Sequence, residues 1–181
     1  MKEWLLAFGT WPMADVLAYG LGAVGVIVEW RAYCLASAKD FRRWSAAGAI
    51  LWAMQYGLLE AWTAGLTMAC TALRTLLSDV GLAGKHRLRT VLVFTAIFVL
   101  LTVLSWQGLV SLLPVFAVLN TTWALFYLDN RWMRLTLLAS SAAWISNDLY
   151  WHAWPALLAE SVAVLINLHT LRRLFRDTGS S

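Results

Sequence analysis

The chain has 181 residues, of which 61% are hydrophobic and only 13% charged, with a mean hydropathy of +0.66. A soluble domain carries about 25% charged residues, so polar surface is too scarce here for a water-facing protein and lipid is the expected solvent. The same composition excludes disorder, a disulfide scaffold and nucleic-acid binding; the pI near 9.4 fits basic residues gathered in cytoplasmic loops.

A membrane-crossing helix needs about 17–25 apolar residues. Seven windows qualify in chain order: 14–30, 44–62, 63–83, 90–106, 109–128, 135–152 and 156–174. The second and third share one apolar run, too long for a single crossing, so a tight turn is expected around Trp62–Gly65. The N-terminal stretch is not expected to be a signal peptide. No apolar core follows Lys2 before Thr10-Trp11-Pro12, and no small-residue cleavage site precedes the first span.

Basic residues give the expected orientation. Arg31, Lys39, Arg42 and Arg43 fall between spans one and two; Lys85, Arg87 and Arg89 between three and four. Arg131 and Arg134 follow span five, and Arg172, Arg173 and Arg176 follow span seven. Twelve of the 14 lie on one side, leaving Lys2 opposite and Arg74 inside a span. The positive-inside rule then places the C-terminus in the cytoplasm and the N-terminus outside. Tryptophan agrees with that map. Trp4, Trp11, Trp62, Trp106, Trp151 and Trp154 mark the outer interface, and Trp30, Trp44 and Trp132 the inner one. Trp52, Trp123 and Trp144 fall within spans and need another explanation.

The longest connection, 31–43, is about a dozen residues, too short for a soluble domain. Trp52, Gln55, Glu60, Ala61 and Trp62 recur at an offset of 92 as Trp144, Asn147, His152, Ala153 and Trp154. That echo suggests two parallel triple-helix bundles, 1–83 and 109–176, joined by a linker, 84–108, with an inverting fourth helix, before a tail, 177–181. The offset fails toward the last helices, where a gap of about six is needed to align Leu73-Arg74 with Leu171-Arg172.

Ionisable side chains at mid-span cost at least about 2.5–3.5 kcal/mol and are functional candidates. Arg74 is the sharpest, expected to point inward and to pair with Glu160, or with Asn167 and Asn120 as neutral acceptors. The plainer alternative is a guanidinium that snorkels to the cytoplasmic headgroups. Glu160 and Asn167 share a face of span seven, Asn147 and Asp148 stand near Trp144 on span six, and Asn120 and Trp123 share a face of span five. Carboxylate, carboxamide and indole together suit a small polar or ring-bearing solute, although the amides could equally bond helix to helix. Asp15, Glu29 and Glu60 are expected at the interface. Asp148, His152 and His169 do not promise the convergence a metal needs. Cys34 and Cys70 are expected reduced. Gly20, Gly22 and Gly25 are expected to allow close helix packing.

The motifs LLPV at 112–115, TWALF at 122–126, Met133-Arg134 and ALRTL at 72–76 resemble the YgjV-type family of bacterial inner-membrane proteins. So do mid-span Trp144 and the Glu160…Asn167 spacing before a basic tail. The resemblance is clearest from 111 to 176. That family is similar to the wider PQ-loop and SWEET group, which includes sugar facilitators and the PnuC vitamin carriers. The resemblance implies seven helices, N-terminus out and C-terminus in, around a central solute path. The chain departs from the pattern in lacking a Pro-Gln dipeptide, in carrying Thr71 before Ala-Leu-Arg where Asn is expected, and in carrying Asp148 in place of Asn.

The resulting expectation is an all-α membrane protein of the bacterial inner membrane that acts as a facilitator or carrier of SWEET-like kind. Its expected partners are the bilayer and a small polar solute, with a homo-oligomer allowed. No nucleic acid, cofactor, metal or catalytic chemistry is expected. The rival expectation is a receptor, scaffold or partner subunit on the same fold.

Overall fold

The computed structural model describes residues 12–33, 35, 38–77, 87–128 and 130–177. Among these there are seven α-helices and no strand: α1 (Met13–Tyr33), α2 (Ala38–Leu58), α3 (Trp62–Leu77), α4 (Arg87–Leu104), α5 (Leu112–Tyr127), α6 (Asn130–Tyr150) and α7 (Trp154–Asp177). A 3-10 turn, Leu109–Ser111, leads into α5. Each helix falls on one of the seven expected apolar windows. Three stretches are long and apolar enough to cross a membrane: Met13–Ala32, Arg87–Leu104 and Trp154–Arg172. Lys2, Trp4, Trp11, Cys34 and Lys85 lie outside the described residues.

Helix ends differ from expectation in a consistent direction. Arg42 and Arg43 lie on the first turns of α2, Arg87 and Arg89 on the first turn of α4, and Arg31 on the last turn of α1. Helices therefore run past the apolar windows into the basic clusters: α1 ends at Tyr33 and α2 begins at Ala38, both inside the stretch 31–43 expected as a connection. Hydropathy marks where a chain can enter lipid, whereas backbone hydrogen bonding continues into the headgroup level.

The turn between the second and third helices is at 59–61, earlier than expected. Its geometry is repeated between α6 and α7. Glu60 and His152 both take positive φ, 60° and 53°. Ala61 N–H donates to the Tyr56 carbonyl and Ala153 N–H to the Asp148 carbonyl, each at 2.8 Å. These are the six-to-one bonds of a left-handed helix cap, which satisfy carbonyls that the helix end would orphan. Ala61 and Ala153 are both fully buried. Gly65, expected in the turn, stands inside α3, where an added Cβ would lie 3.2 Å from the Ala53 carbonyl oxygen and 3.4 Å from the Gly57 nitrogen. Its missing side chain lets α2 and α3 cross closely.

α2 packs along α1 and α3, and α6 along α5 and α7. Across these groups α1 touches α7 and α3 touches α5, while α4 rests on α3 and α5. α4 buries only one stripe, in which Thr90, Phe94, Phe98 and Thr102 recur every four residues. Its remaining faces are apolar and exposed, Leu92 and Val103 among them, as expected of a helix that meets lipid on most sides.

Gly22 marks the tightest approach of α1 to its neighbours. An added Cβ would come within 2.3 Å of Gln55 Oε1 and 2.8 Å of Pro155 Cβ. The amide of Gln55 is fully buried and the proline ring is rigid, so neither can step aside cheaply. Gly22→Ala is expected to destabilise by about 1–3 kcal/mol through overpacking. At Gly20 nothing lies within 4 Å, and Gly20→Ala should be neutral or gain up to about 1 kcal/mol of helix propensity. Unfolding titrations of both variants in mixed micelles check the contrast.

Candidate functional site

Small residues bring the first two helices close enough to bury a carboxylate between them. Gly25 lies against the Trp52 ring, where a Cβ would meet it at 3.3 Å, and Gly48 faces Glu29, whose Cβ is 4.0 Å from such an atom. Gly48 is on α2, and Glu29 is in the last turns of α1. Trp52 Nε1–H donates to Glu29 Oε2 at 3.1 Å. Glu29 therefore has a partner on α2 that its place near the end of the first window did not announce. The same bond explains why an indole, Trp52, stands within a span.

α6 supplies the opposite wall. Tyr56 O–H donates to Asp148 Oδ1 at 2.6 Å, joining α2 to α6. The Trp144 ring stacks on Tyr56, centroids 5.9 Å apart and planes 20° apart. Asn147 Nδ2–H donates to Asp148 Oδ1 at 3.4 Å. Glu160 on α7 completes the wall. Together Glu29, Trp52, Tyr56, Trp144, Asp148 and Glu160 line a cavity of about 160 Å³ among α1, α2, α3, α6 and α7, with Thr71 on the α3 side. Among the described residues no Lys or Arg lines it.

Of the residues expected to share a solute path, this arrangement gathers Trp144, Asp148 and Glu160 at one cavity, with Asn147 directly behind Asp148. The others serve elsewhere. Asn120 Nδ2–H donates to the Thr136 carbonyl at 2.8 Å and to Ser140 Oγ at 2.9 Å, closing the seam between α5 and α6. Asn167 Oδ1 accepts from Arg134 at 3.1 Å, and its Nδ2–H donates to the Arg134 carbonyl at 2.9 Å, tying α7 to α6. Trp123, expected beside Asn120, is 53% exposed and stacks on Tyr127 at 4.4 Å. It faces outward because three residues advance a helix by about 300°, enough to carry the indole off the packed seam.

Arg74 is buried, as the interior expectation required, but its partner is different. Its guanidinium donates to the Thr122 hydroxyl on α5 and lies 5.9 Å from the Phe98 ring centroid on α4. Neither Glu160, Asn167 nor Asn120 takes its charge. α3 turns this residue toward α4 and α5, away from the cavity that holds Glu160.

Glu29 and Tyr56 were the residues that sequence reasoning missed. Tyr56 could have been found, since it stands at the same offset of 92 from Asp148 as the other repeated positions, but an unlike pair hides the match. For Glu29 no local signal exists, because its partner depends on the crossing of α1 with α2.

The family described as Bacterial inner membrane protein, Imp-YgjV, matches residues 16–178. The chain is similar to the Inner membrane protein YgjV of Escherichia coli (strain K12), 24% identical over 164 residues, which cover 88% of this chain and 85% of that protein. No solved structure matches the chain.

Proposed function

Because the chain belongs to the Imp-YgjV family and is a protein of the bacterial inner membrane, we propose that it is a small-solute facilitator or carrier of SWEET-like type. The cavity carries this reading. It holds three carboxyl groups in a partly apolar lining, lies between helices from both halves of the chain, and offers groups that grip solutes. A membrane scaffold would fill the same positions with apolar side chains, since each carboxylate buried there costs free energy.

The proposed plan is two triple-helix bundles, α1–α3 and α5–α7, joined by α4. Two features support it: the duplicated turns after Tyr56 and Asp148, and the exchange of contacts in which α1 meets α7 as α5 meets α3. Both are what a two-fold relation between parallel repeats produces. One bundle rocks against the other around the cavity, and the Tyr56–Asp148 bond closes it toward the turns at 59–61 and 151–153. All seven helices cross the bilayer, with the N-terminus outside, and the reaction path contains no catalytic step.

Two measurements test the plan. A reporter fused after Arg176 should be active only if it works in the cytoplasm, and one inserted near Gly108 only if it works outside; the reverse at either point removes the orientation. Purified protein in proteoliposomes should pass at least one small polar solute faster than empty vesicles, with the flux lost in Glu160→Gln. Equal leakage from both kinds of vesicle across a broad solute panel sinks the carrier reading.

A further inference from the structure

We infer that the cavity takes a small organic ammonium ion, a protonated amine of a few heavy atoms; as a statement about transported substrate this rests on the carrier reading, as a statement about binding it does not. Glu29, Asp148 and Glu160 line one space of about 160 Å³, and among the described residues no basic side chain is in its lining. The hydrogen bonds on Glu29 and Asp148 come from neutral donors: Trp52 on Glu29, and Tyr56 and Asn147 on Asp148. Where these carboxyl groups are ionised they need a counter-charge as well as hydrogen bonds. Arg74 cannot supply it, being engaged with Thr122 and Phe98 outside this lining.

A second observation points the same way. Asn147 is fully buried, gives its Nδ2–H to Asp148, and leaves Oδ1 with no partner. The carboxamide of Gln55, at the equivalent position on α2, is also fully buried with Oε1 and Nε2 unpartnered. Such atoms are rare in folded proteins and call for a bound species or a water. Asn147 adjoins the cavity through Asp148 and is not part of the lining; its free acceptor oxygen suits a ligand or water that donates N–H or O–H.

The aromatic walls separate an organic cation from a metal ion. Trp52, Tyr56 and Trp144 are part of the cavity lining, and aromatic rings attract ammonium groups. A metal ion needs converging ligands, and among the described residues no three His, Cys, Asp or Glu side chains come close enough to hold one. An anion is repelled by three carboxylates. A sugar can donate its hydroxyls to these groups but brings no charge to balance them. The volume is below the roughly 300 Å³ at which drug-sized pockets begin, which restricts the ligand to a small amine.

The test uses full-length protein in lipid nanodiscs, titrated calorimetrically with ethylammonium, and in parallel with sodium, acetate and glycerol. Saturable binding is expected for ethylammonium alone. Glu160→Gln, close in shape to the native side chain, should weaken it by about ten-fold or more, the loss of one charge-assisted contact. Trp144→Leu should weaken it as well, and Glu29→Gln provides a second charge variant should either of these fail to fold. Binding of sodium as tight as ethylammonium, binding of acetate or glycerol instead, no binding of any probe, or affinity unchanged by all these substitutions overturns the inference. Flux of ethylammonium through proteoliposomes separates the two readings. Binding without flux removes the carrier and keeps the site, whereas flux of glycerol without ammonium binding keeps the carrier and removes the site chemistry.

Discussion

Thr122→Val should lower stability by about 1.5–3 kcal/mol, and the same change should cost far less once Arg74 is replaced by Met. The Thr122 hydroxyl accepts from the Arg74 guanidinium and itself donates to the Val118 carbonyl at 2.6 Å. Valine keeps the shape and removes the acceptor, leaving a buried cation with the Phe98 ring alone. That ring offers about 0.5–2 kcal/mol depending on desolvation, too little to replace the lost bond. Arg74→Met by itself should be neutral or stabilising, because a buried charge is removed together with its desolvation cost. Had Arg74 been paired with Glu160, the same replacement would strand a carboxylate and cost several kcal/mol. Reversible unfolding of the four proteins in mixed micelles, combined as a double-mutant cycle, reads the coupling directly. A coupling near zero would mean that the bond between α3 and α5 contributes nothing.

The second large effect is expected where α2 meets α6. Tyr56→Phe should destabilise by about 1.5–3 kcal/mol, because Asp148 then keeps only the longer bond from Asn147. Asp148→Ala should cost about 1–3 kcal/mol through the buried phenol O–H it leaves unsatisfied. Tyr56→Phe combined with Asp148→Ala should cost less than the sum of the two, since neither polar group then remains buried without a partner. If Tyr56–Asp148 also closes the cavity on one side, Tyr56→Phe should raise solute exchange in proteoliposomes while lowering stability. A variant that is less stable yet no leakier would show that the bond holds the bundle without gating it.

Much of the architecture was legible in the residue order. Seven helices appear where seven apolar windows were expected, because a long apolar stretch in lipid can satisfy its backbone only as a helix or within a closed barrel. The echo at an offset of 92 was legible for a related reason. A cap of fixed geometry needs the same short succession of residues wherever it recurs, so Glu60-Ala61-Trp62 and His152-Ala153-Trp154 announce matching turns. Trp144, Asp148 and Glu160 were readable as site candidates because polar groups are costly within spans. Depth and partnership were not readable, since both arise where helices cross. Glu29 stands near the end of an apolar window, yet Gly48 on another helix lets it reach the level of Trp52. Arg74 carries a charge that called for a carboxylate, yet the face that α3 turns toward α5 offers it the Thr122 hydroxyl. The residue order therefore determined which segments become helices and which side chains are too polar for lipid. The packing angles between helices, set by small residues such as Gly22, Gly48 and Gly65, decided which of those side chains meet, because a displacement of a single turn, about 5.4 Å, exceeds the reach of any hydrogen bond.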